Sequence, residues 1–367
     1  MARALLARPQ VQACRPRPSN RQSSPPWRSL QPTVRQTLPL PPPSPRLLAT
    51  TSMFLSVVIP TYNRLPILQK CLTALEQQRL EPPLLGFEVV LVDDGSTDDT
   101  VHWLDIHAPA FPHVRLIRQQ HGGPAEGRNR GVEHARGDVI VFIDSDLVVT
   151  PTFLISHGRA LERHWRQRGD RLCFTYGAVI NTADFENPTR EPHKPTDLSW
   201  AYFATGNVAI DRQVLEESGL FDTAFRLYGW EDLELGERLR RMGVRLVRCP
   251  EAVGYHWHPP LSLAQIPDLF RVERERARMG LVFYRKHPTW RVRLIIQYTW
   301  LHLLLWELLT LGGLVNERSL RPLLTWLIRR GQPALAMELL RLPLNRFGVR
   351  ALFGEARRAR GGQPATV

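Results

Sequence analysis

Apolar and polar stretches alternate with strand and helix periods from residue 54 onward. FLSVVIP (54–60) is an apolar, β-branched run that predicts a strand ending at Pro60. The polar turn TYNR (61–64) follows, and Pro66–Gln78 carries an amphipathic helical pattern. FEVVLVDDGSTDDT (87–100) repeats the plan. A buried strand ends at Asp93–Asp94, Gly95 supplies the turn, and Ser96 or Thr97 caps the next helix. HVRLIR (113–118) predicts an edge strand, and HGGPAEGRNRGVEHARG (121–137) a Gly-rich turn and a helix. Val139–Ile143 is apolar at every position, as in a strand buried on both faces. This alternation predicts an α/β domain with a parallel sheet.

The fourth strand ends in two carboxylates one residue apart, Asp144 and Asp146. Residues i and i+2 of a strand point to the same side, so these two repel unless a cation sits between them. Oxygen ligands of this kind suit Mg2+ or Mn2+. Ligands in open α/β sheets bind in the crevice outside the carboxyl ends of the strands. A bare Asp-x-Asp is also a polar turn after a strand, and the neighbouring segments decide between the two.

Further along, a helix is expected over Thr152–Arg166, a strand over Leu172–Ile180 and a polar, proline-bearing loop over 181–197. Thr205, Gly206 and Asn207 predict a tight turn, with Asp211 capping a helix over Gln213–Glu217. LYGWEDLELGERLRRMG (227–243) reads as a turn and then a helix with carboxylates in its first turn, where the helix dipole favours them. RLVRCPEAVGYHWHPP (245–260) is a strand followed by His256 and His258. Leu263–Lys286 is a charged helix. Val292–Leu311 is strongly apolar but interrupted by Gln297, His302 and Glu307. Trp300, Trp306 and flanking Arg residues fit a helix lying in a membrane interface, and a buried helix packing on the preceding domain or a membrane span are the other readings. Basic amphipathic helices follow over Arg318–Arg330 and Pro333–Arg341, and the tail 355–367 is expected to be disordered.

Charge changes this picture at both ends. Residues 1–52 hold eight Arg, no acidic residue and 11 of the 31 prolines. They predict a disordered Arg/Pro-rich extension. Its composition resembles an organelle transit peptide, but the preferred reading is that Met53 is the true start. A chain beginning at Met53 is therefore expected to fold and bind ligand as the full chain does, which a truncation and a binding titration would check. Residues 259–367 carry a net charge of +11, which leaves −6 for 53–258 out of a total of +13. The motifs lie in the acidic part, so a nucleic-acid partner is not expected. Four scattered cysteines without a Cys-x-x-Cys argue against a zinc site or a disulfide framework and fit a reducing compartment.

SVVIPTYNR, VDDGSTDDT, GGPAEGRNRGVEHARGDVIVFIDSD and GWEDLELGERLRRMG stand in this order across about 55–258 and together resemble family 2 glycosyltransferases. The resemblance implies a GT-A (Rossmann-like) nucleotide-diphospho-sugar transferase fold with a mostly parallel sheet, followed by C-terminal helices. It implies inverting, metal-dependent transfer of a sugar from a nucleotide-diphosphate donor, expected to be a UDP-sugar, to a hydroxyl of a glycan or lipid-linked glycan. Pro60, Asp94 and Asp144 would then line one crevice. Asp94 would accept the uracil imide N–H, and Tyr62 would pack against the base. Arg128 would add a forked donor for the diphosphate at a helix start. Asp146 would hold Mn2+ or Mg2+, Asp144 would touch ribose or metal, and His256 rather than His258 would be the third metal ligand. Galactosyltransferase-like relatives carry a similar Trp-Gly-Glu-Asp stretch with its Asp as base. Here Gly229 precedes Trp230, so the base is expected at Asp232, with Glu231 as the alternative. Glu231, Trp230, Gly206 and Asn207 are expected at the acceptor.

The expected organisation is thus an extension (1–52), a catalytic domain (53–258), a basic helical region (259–354) and a tail, in a cytoplasmic protein peripheral to an anionic membrane. Two other function classes remain: a sugar-nucleotide-binding protein without turnover, and a nucleotidyltransferase. The latter needs a Gly/Arg/Lys phosphate loop after the first strand, where Pro60–Thr61–Tyr62 stands instead.

Overall fold

The computed structural model describes residues 52–194 and 201–360. The expected disorder of 1–51 and 361–367, and the loop residues 195–200, lie outside these. Strands β1 (Met53–Thr61), β2 (Leu84–Asp93), β3 (Val114–Arg118) and β4 (Val139–Ile143) are joined by helices α1 (Leu65–Glu76), α2 (Thr100–His107) and α3 (Pro124–His134). After β4 come β5 (Leu147–Val149), α4 (Phe153–Arg168), β6 (Cys173–Thr182), β7 (Asn207–Asp211), α5 (Arg212–Glu217), α6 (Glu231–Arg241) and β8 (Arg245–Trp257). The eight strands form one sheet in the order β3-β2-β1-β4-β7-β6-β8-β5. The first four are mutually parallel and β6 pairs parallel with β8, whereas β7 and β5 run antiparallel to their neighbours.

Both faces of the parallel half are covered, which explains its unbroken apolar runs. Leu55, Val57, Ile59, Val139 and Val141 pack with α1 and α4. The alternate residues Val58, Val90, Ile140 and Phe142 pack with α3 and α6. Helix α3 lies so close on β1 that a Cβ on Gly131 would stand 2.3 Å from Val58 Cγ1. Gly131→Ala is therefore expected to destabilise the domain by about 1–3 kcal/mol through overpacking, read as a lower urea midpoint at unchanged slope.

The sheet is curled. Strand β4 ends at Ile143 and β5 begins at Leu147, yet four strand spacings separate them in the sheet. Four residues of extended chain reach at most about 14 Å. Four spacings across a flat sheet measure about 19 Å. The connection closes only because the sheet bends round, which carries β8 back to the end of β4.

The C-terminal helices are α7 (Ile266–Lys286), α8 (Trp290–Ile295), α9 (Trp300–Leu309), α10 (Glu317–Arg329) and α11 (Pro333–Arg360). They are built onto the catalytic part: Phe225 shares a cluster with Phe283, Val292, Ile296 and Leu352. Between α6 and this region, His287 Nε2 lies 2.7 Å from Glu234 Oε1, and Arg291 Nε 2.7 Å from Glu237 Oε1. The single apolar helix expected over 292–311 is instead two helices. Gln297 turns left-handed (φ 58°) between them, and Thr289 and Thr299 each cap the helix that follows. The tail expected to be disordered from 355 continues as helix to Arg360, because Leu352 and Ala356 are buried in the cluster around α7.

Candidate active site

The curl of the sheet assembles the site. Leu147 pairs with His256 across β5 and β8, so His256 arrives beside the carboxylates that follow β4. His256 Nε2 lies 2.9 Å from Asp146 Oδ1. One ligand atom each from Asp144, Asp146 and His256 falls within 4.8 Å of the others. Two carboxylates and an imidazole are a donor set suited to a Mn2+-like cation, so these residues fit the expected metal. Arg64 Nη1 also lies 3.1 Å from Asp146 Oδ2. Burial works to raise the Asp146 carboxyl, but the His256 hydrogen bond and the charges of His256 and Arg64 hold it below its usual range. Burial likewise opposes charge on His256, and Asp146 nevertheless raises its pKa. His258 packs against His256 with its ring tilted and the centroids 4.2 Å apart, and its Nε2 lies 3.2 Å from Asn181 Oδ1, outside the ligand cluster. Burial and the neighbouring His256 push it down to about 4.

A buried ion-pair bridge links this cluster to α6. Gly229 (φ 101°) and Trp230 (φ 77°) are both left-handed and reverse the chain just before Glu231. Arg128 Nη1 then reaches Glu231 Oε1 at 2.9 Å, and its Nη2 reaches Asp144 Oδ1 at 3.1 Å. Arg128 is only 5% exposed. Burial disfavours its charge, and the carboxylates of Glu231 and Asp144 hold it protonated. The free diphosphate donor expected at this position is therefore, as folded, committed to two carboxylates. Glu231 Oε2 is buried and has no hydrogen-bond partner. Asp232 accepts from its neighbouring Leu233 N at 2.7 Å. Burial and then the charge of Glu231 push the Asp232 carboxyl up to about 7, with Arg128 acting in the opposite sense.

The remaining expected residues divide. Pro60 closes β1 against α3, where a Cβ on Gly127 would stand 3.2 Å from its ring. Gly206 flanks the cluster, with its Cβ position 3.3 Å from Asp144 Oδ2. Tyr62 is 43% exposed and its ring lies 4.5 Å from that of His121. Asp94 does not present a free carboxylate: it accepts from Gln119 Nε2 (2.7 Å), Gly122 N (2.8 Å) and Gly123 N (2.9 Å), and so anchors the loop before α3. Asn207 is fully buried. Its amide donates to Ala178 O at 2.9 Å and Ala252 O at 3.0 Å, and its Oδ1 lies 2.9 Å from His157 Nε2. It ties β7 to β6 and β8 and has no face left for an acceptor. Trp230 is committed to α7, with its Nε1 donating to Arg276 O at 2.7 Å and the Arg276 guanidinium 5.0 Å from its ring.

Three residues at the site escape the sequence reading. Arg64 closes the TYNR turn, where a cation following a strand end is a signal for an anionic ligand. His121 gives no such signal, because its pairing with Tyr62 is made between distant segments. Tyr228, 57% exposed, has its hydroxyl in the field of Asp144, Glu231 and Asp232, and an aromatic next to a Gly-Trp turn was the available hint.

Residues 56–216 match the family described as Glycosyl transferase family 2. The uncharacterized glycosyltransferase YfnE of Bacillus subtilis (strain 168) is 25% identical over 266 residues, 58% of this chain and 67% of that protein. The hyaluronan synthase of Pasteurella multocida is 28% identical over 243 residues, covering 56% of this chain but only 25% of the synthase. Among solved structures, the mannosyltransferase PcManGT from Pyrobaculum calidifontis, in complex with GDP-Man and Mn2+, superposes with a TM-score of 0.52. It is 21% identical, covering 86% of this chain and 90% of that one, and it shares the fold. With strand–turn–helix motifs, curled sheet and matched segment in agreement, residues 56–216 are those of a glycosyl transferase family 2 segment, and the chain is a sugar-transferring enzyme with the GT-A fold.

Proposed function

We propose that the protein is a metal-dependent, inverting glycosyltransferase that moves a sugar from a nucleoside diphosphate donor to a hydroxyl of a glycan or lipid-linked glycan. The observation that carries this reading is the Arg128 bridge, which joins Asp144 of the Asp144–Asp146–His256 cluster to Glu231, the residue next to Asp232. The cluster would hold the cation, Mn2+ or Mg2+, which when bound neutralises the diphosphate of the donor and its leaving group. Arg64 is partly exposed and, with Asp146 engaged by the cation, would turn to a donor phosphate. Tyr62 and His121 offer a paired ring surface for the nucleobase. Asp232 takes the proton from the acceptor hydroxyl while the hydroxyl oxygen bonds the anomeric carbon. The bond from that carbon to the diphosphate breaks, and the electron pair leaves with the nucleoside diphosphate. Attack opposite the leaving group inverts the anomeric centre. The unpartnered Glu231 Oε2 is free to accept a second acceptor hydroxyl.

The solved relative binds GDP-mannose, and the sequence favours a UDP-sugar. With both Asp94 oxygens occupied by its own loop, the base is read by other groups than that carboxylate. A panel of UDP- and GDP-sugars, scored by nucleoside diphosphate release with Mn2+, Mg2+ or EDTA, tests the proposal. Release from none of them in the presence of metal would favour a non-catalytic sugar-nucleotide binder. A lipid-linked acceptor would be met at an anionic membrane surface, in keeping with the basic charge of 259–367.

The Asp232 carboxyl near 7 sets a pH dependence. Only the carboxylate can accept a proton, so kcat/KM should rise with pH through about 7 and level off above it. The residual activity of Asp232→Asn should lack that limb. An unchanged acid limb in the variant would assign the titration to another group.

A further inference from the structure

A helix on the surface of a water-soluble domain turns its leucines inward and its polar groups outward. Helix α9 does the reverse. Its exposed side chains are Trp300, Leu301, Leu304, Leu305, Leu308 and Leu309, which recur as one stripe. Its polar groups are turned to the protein. Trp306 Nε1 donates to Gln297 Oε1 at 2.7 Å, His302 Nδ1 lies 2.7 Å from Thr299 Oγ1, and Glu307 is held by Arg346 at 3.1 Å and by Arg350. No residue of α9 is fully buried. The connector to α10 extends the apolar surface with Leu311 and Leu314, 64% and 73% exposed. Residues 290–337 hold six Arg and two Glu. Among the described residues, Arg318 and Arg321 at the start of α10 have no carboxylate partner.

We propose that α9 and its connector seat the protein on a membrane surface containing anionic lipid, with the helix lying in the plane of the interface. No helix among the described residues is long and apolar enough to cross a membrane. Ten residues of α-helix span about 15 Å, half of a hydrocarbon core about 30 Å thick. Lying flat, the leucine stripe reaches the acyl boundary, Trp300 sits at headgroup level, and Arg318 and Arg321 meet lipid phosphates. A second copy of the chain fits the surface less well. Two-fold packing would bring arginines of both copies together with no acidic residue on the stripe to pair them, whereas phosphates supply that charge. The inference stands on α9 and not on the crevice, so it goes beyond the transfer reading and neither depends on the other.

The test is flotation of the full chain with phosphatidylcholine vesicles, with and without phosphatidylglycerol. Leu304→Gln/Leu308→Gln keeps helix propensity and charge, and these positions are exposed, so circular dichroism and donor binding should not change. We expect the native chain to float with the anionic vesicles and the double variant to partition at least about tenfold less. Arg318→Gln/Arg321→Gln should weaken binding to anionic vesicles only. Wild-type flotation of the leucine variant would overturn the proposal, assigning binding to charge alone. So would a native dimer by light scattering that the leucine variant dissolves and that does not bind vesicles, since the stripe would then belong to a second copy.

Discussion

Asp146→Ala is expected to remove metal-dependent turnover down to the level seen in EDTA, and to weaken binding of the nucleoside diphosphate. Asp146 is the cluster's most committed member. It is buried, its two oxygens face His256 and Arg64, and its carboxyl is held in the charged form. Removing it deletes one of the three groups that would hold the cation and leaves Arg64 without its carboxylate partner. His256→Ala should act in the same direction less severely, because Asp144 and Asp146 remain. The measurement is nucleoside diphosphate release against Mn2+ concentration, with donor affinity by calorimetry. Normal activity of Asp146→Ala in EDTA would show that this cluster does not hold the metal.

Asp232→Asn is expected to lower the rate of transfer by at least about a hundredfold, the lower end for a general base. The substitution is nearly isosteric, so the turn at Gly229–Trp230 and the Arg128 bridge should persist. Donor affinity should change little, since the proposed base meets the acceptor and not the nucleotide. Glu231→Gln serves as the parallel variant, and the structure gives it a different signature. Glu231 is one of the two carboxylates that neutralise the buried Arg128, so its loss should also disturb Asp144 and with it donor binding. A variant that loses transfer alone is the base; one that loses transfer and donor binding together is a bridge. Normal transfer by Asp232→Asn would move the base to Glu231.

The strands and helices of 53–182, apart from the short β5, were legible because each buried strand ends at a polar turn and each helix repeats with its own period. The Asp144–Asp146 pair was legible for the same reason, being local to a strand end. What was not legible is made by distant contacts. Nothing near Asp94 indicates that its carboxylate anchors the Gln119–Gly123 loop, and nothing near Asn207 indicates that it bonds three neighbouring elements. In the sequence Arg128 stands at a helix start as a donor with a diphosphate to bind. Only the fold brings Glu231, more than a hundred residues away, to its guanidinium. The break at Gln297 was hidden because a left-handed glutamine has no sequence signature of the kind glycine gives. The outward leucines of α9 were visible as composition but not as direction, since periodicity says which residues share a face and not which way that face looks.

The three residues between Ile143 and Leu147 set a fixed gauge for this enzyme. They span from the middle of the sheet to its far edge, and they are also the segment that carries Asp144 and Asp146. An insertion there would relax the curl and move β5 along β8, so that Leu147 would lose its place opposite His256 and the two carboxylates would draw away from the imidazole. A deletion could not span the gap. The stretch from Ile143 to Leu147 is therefore held to its present length by the geometry it closes.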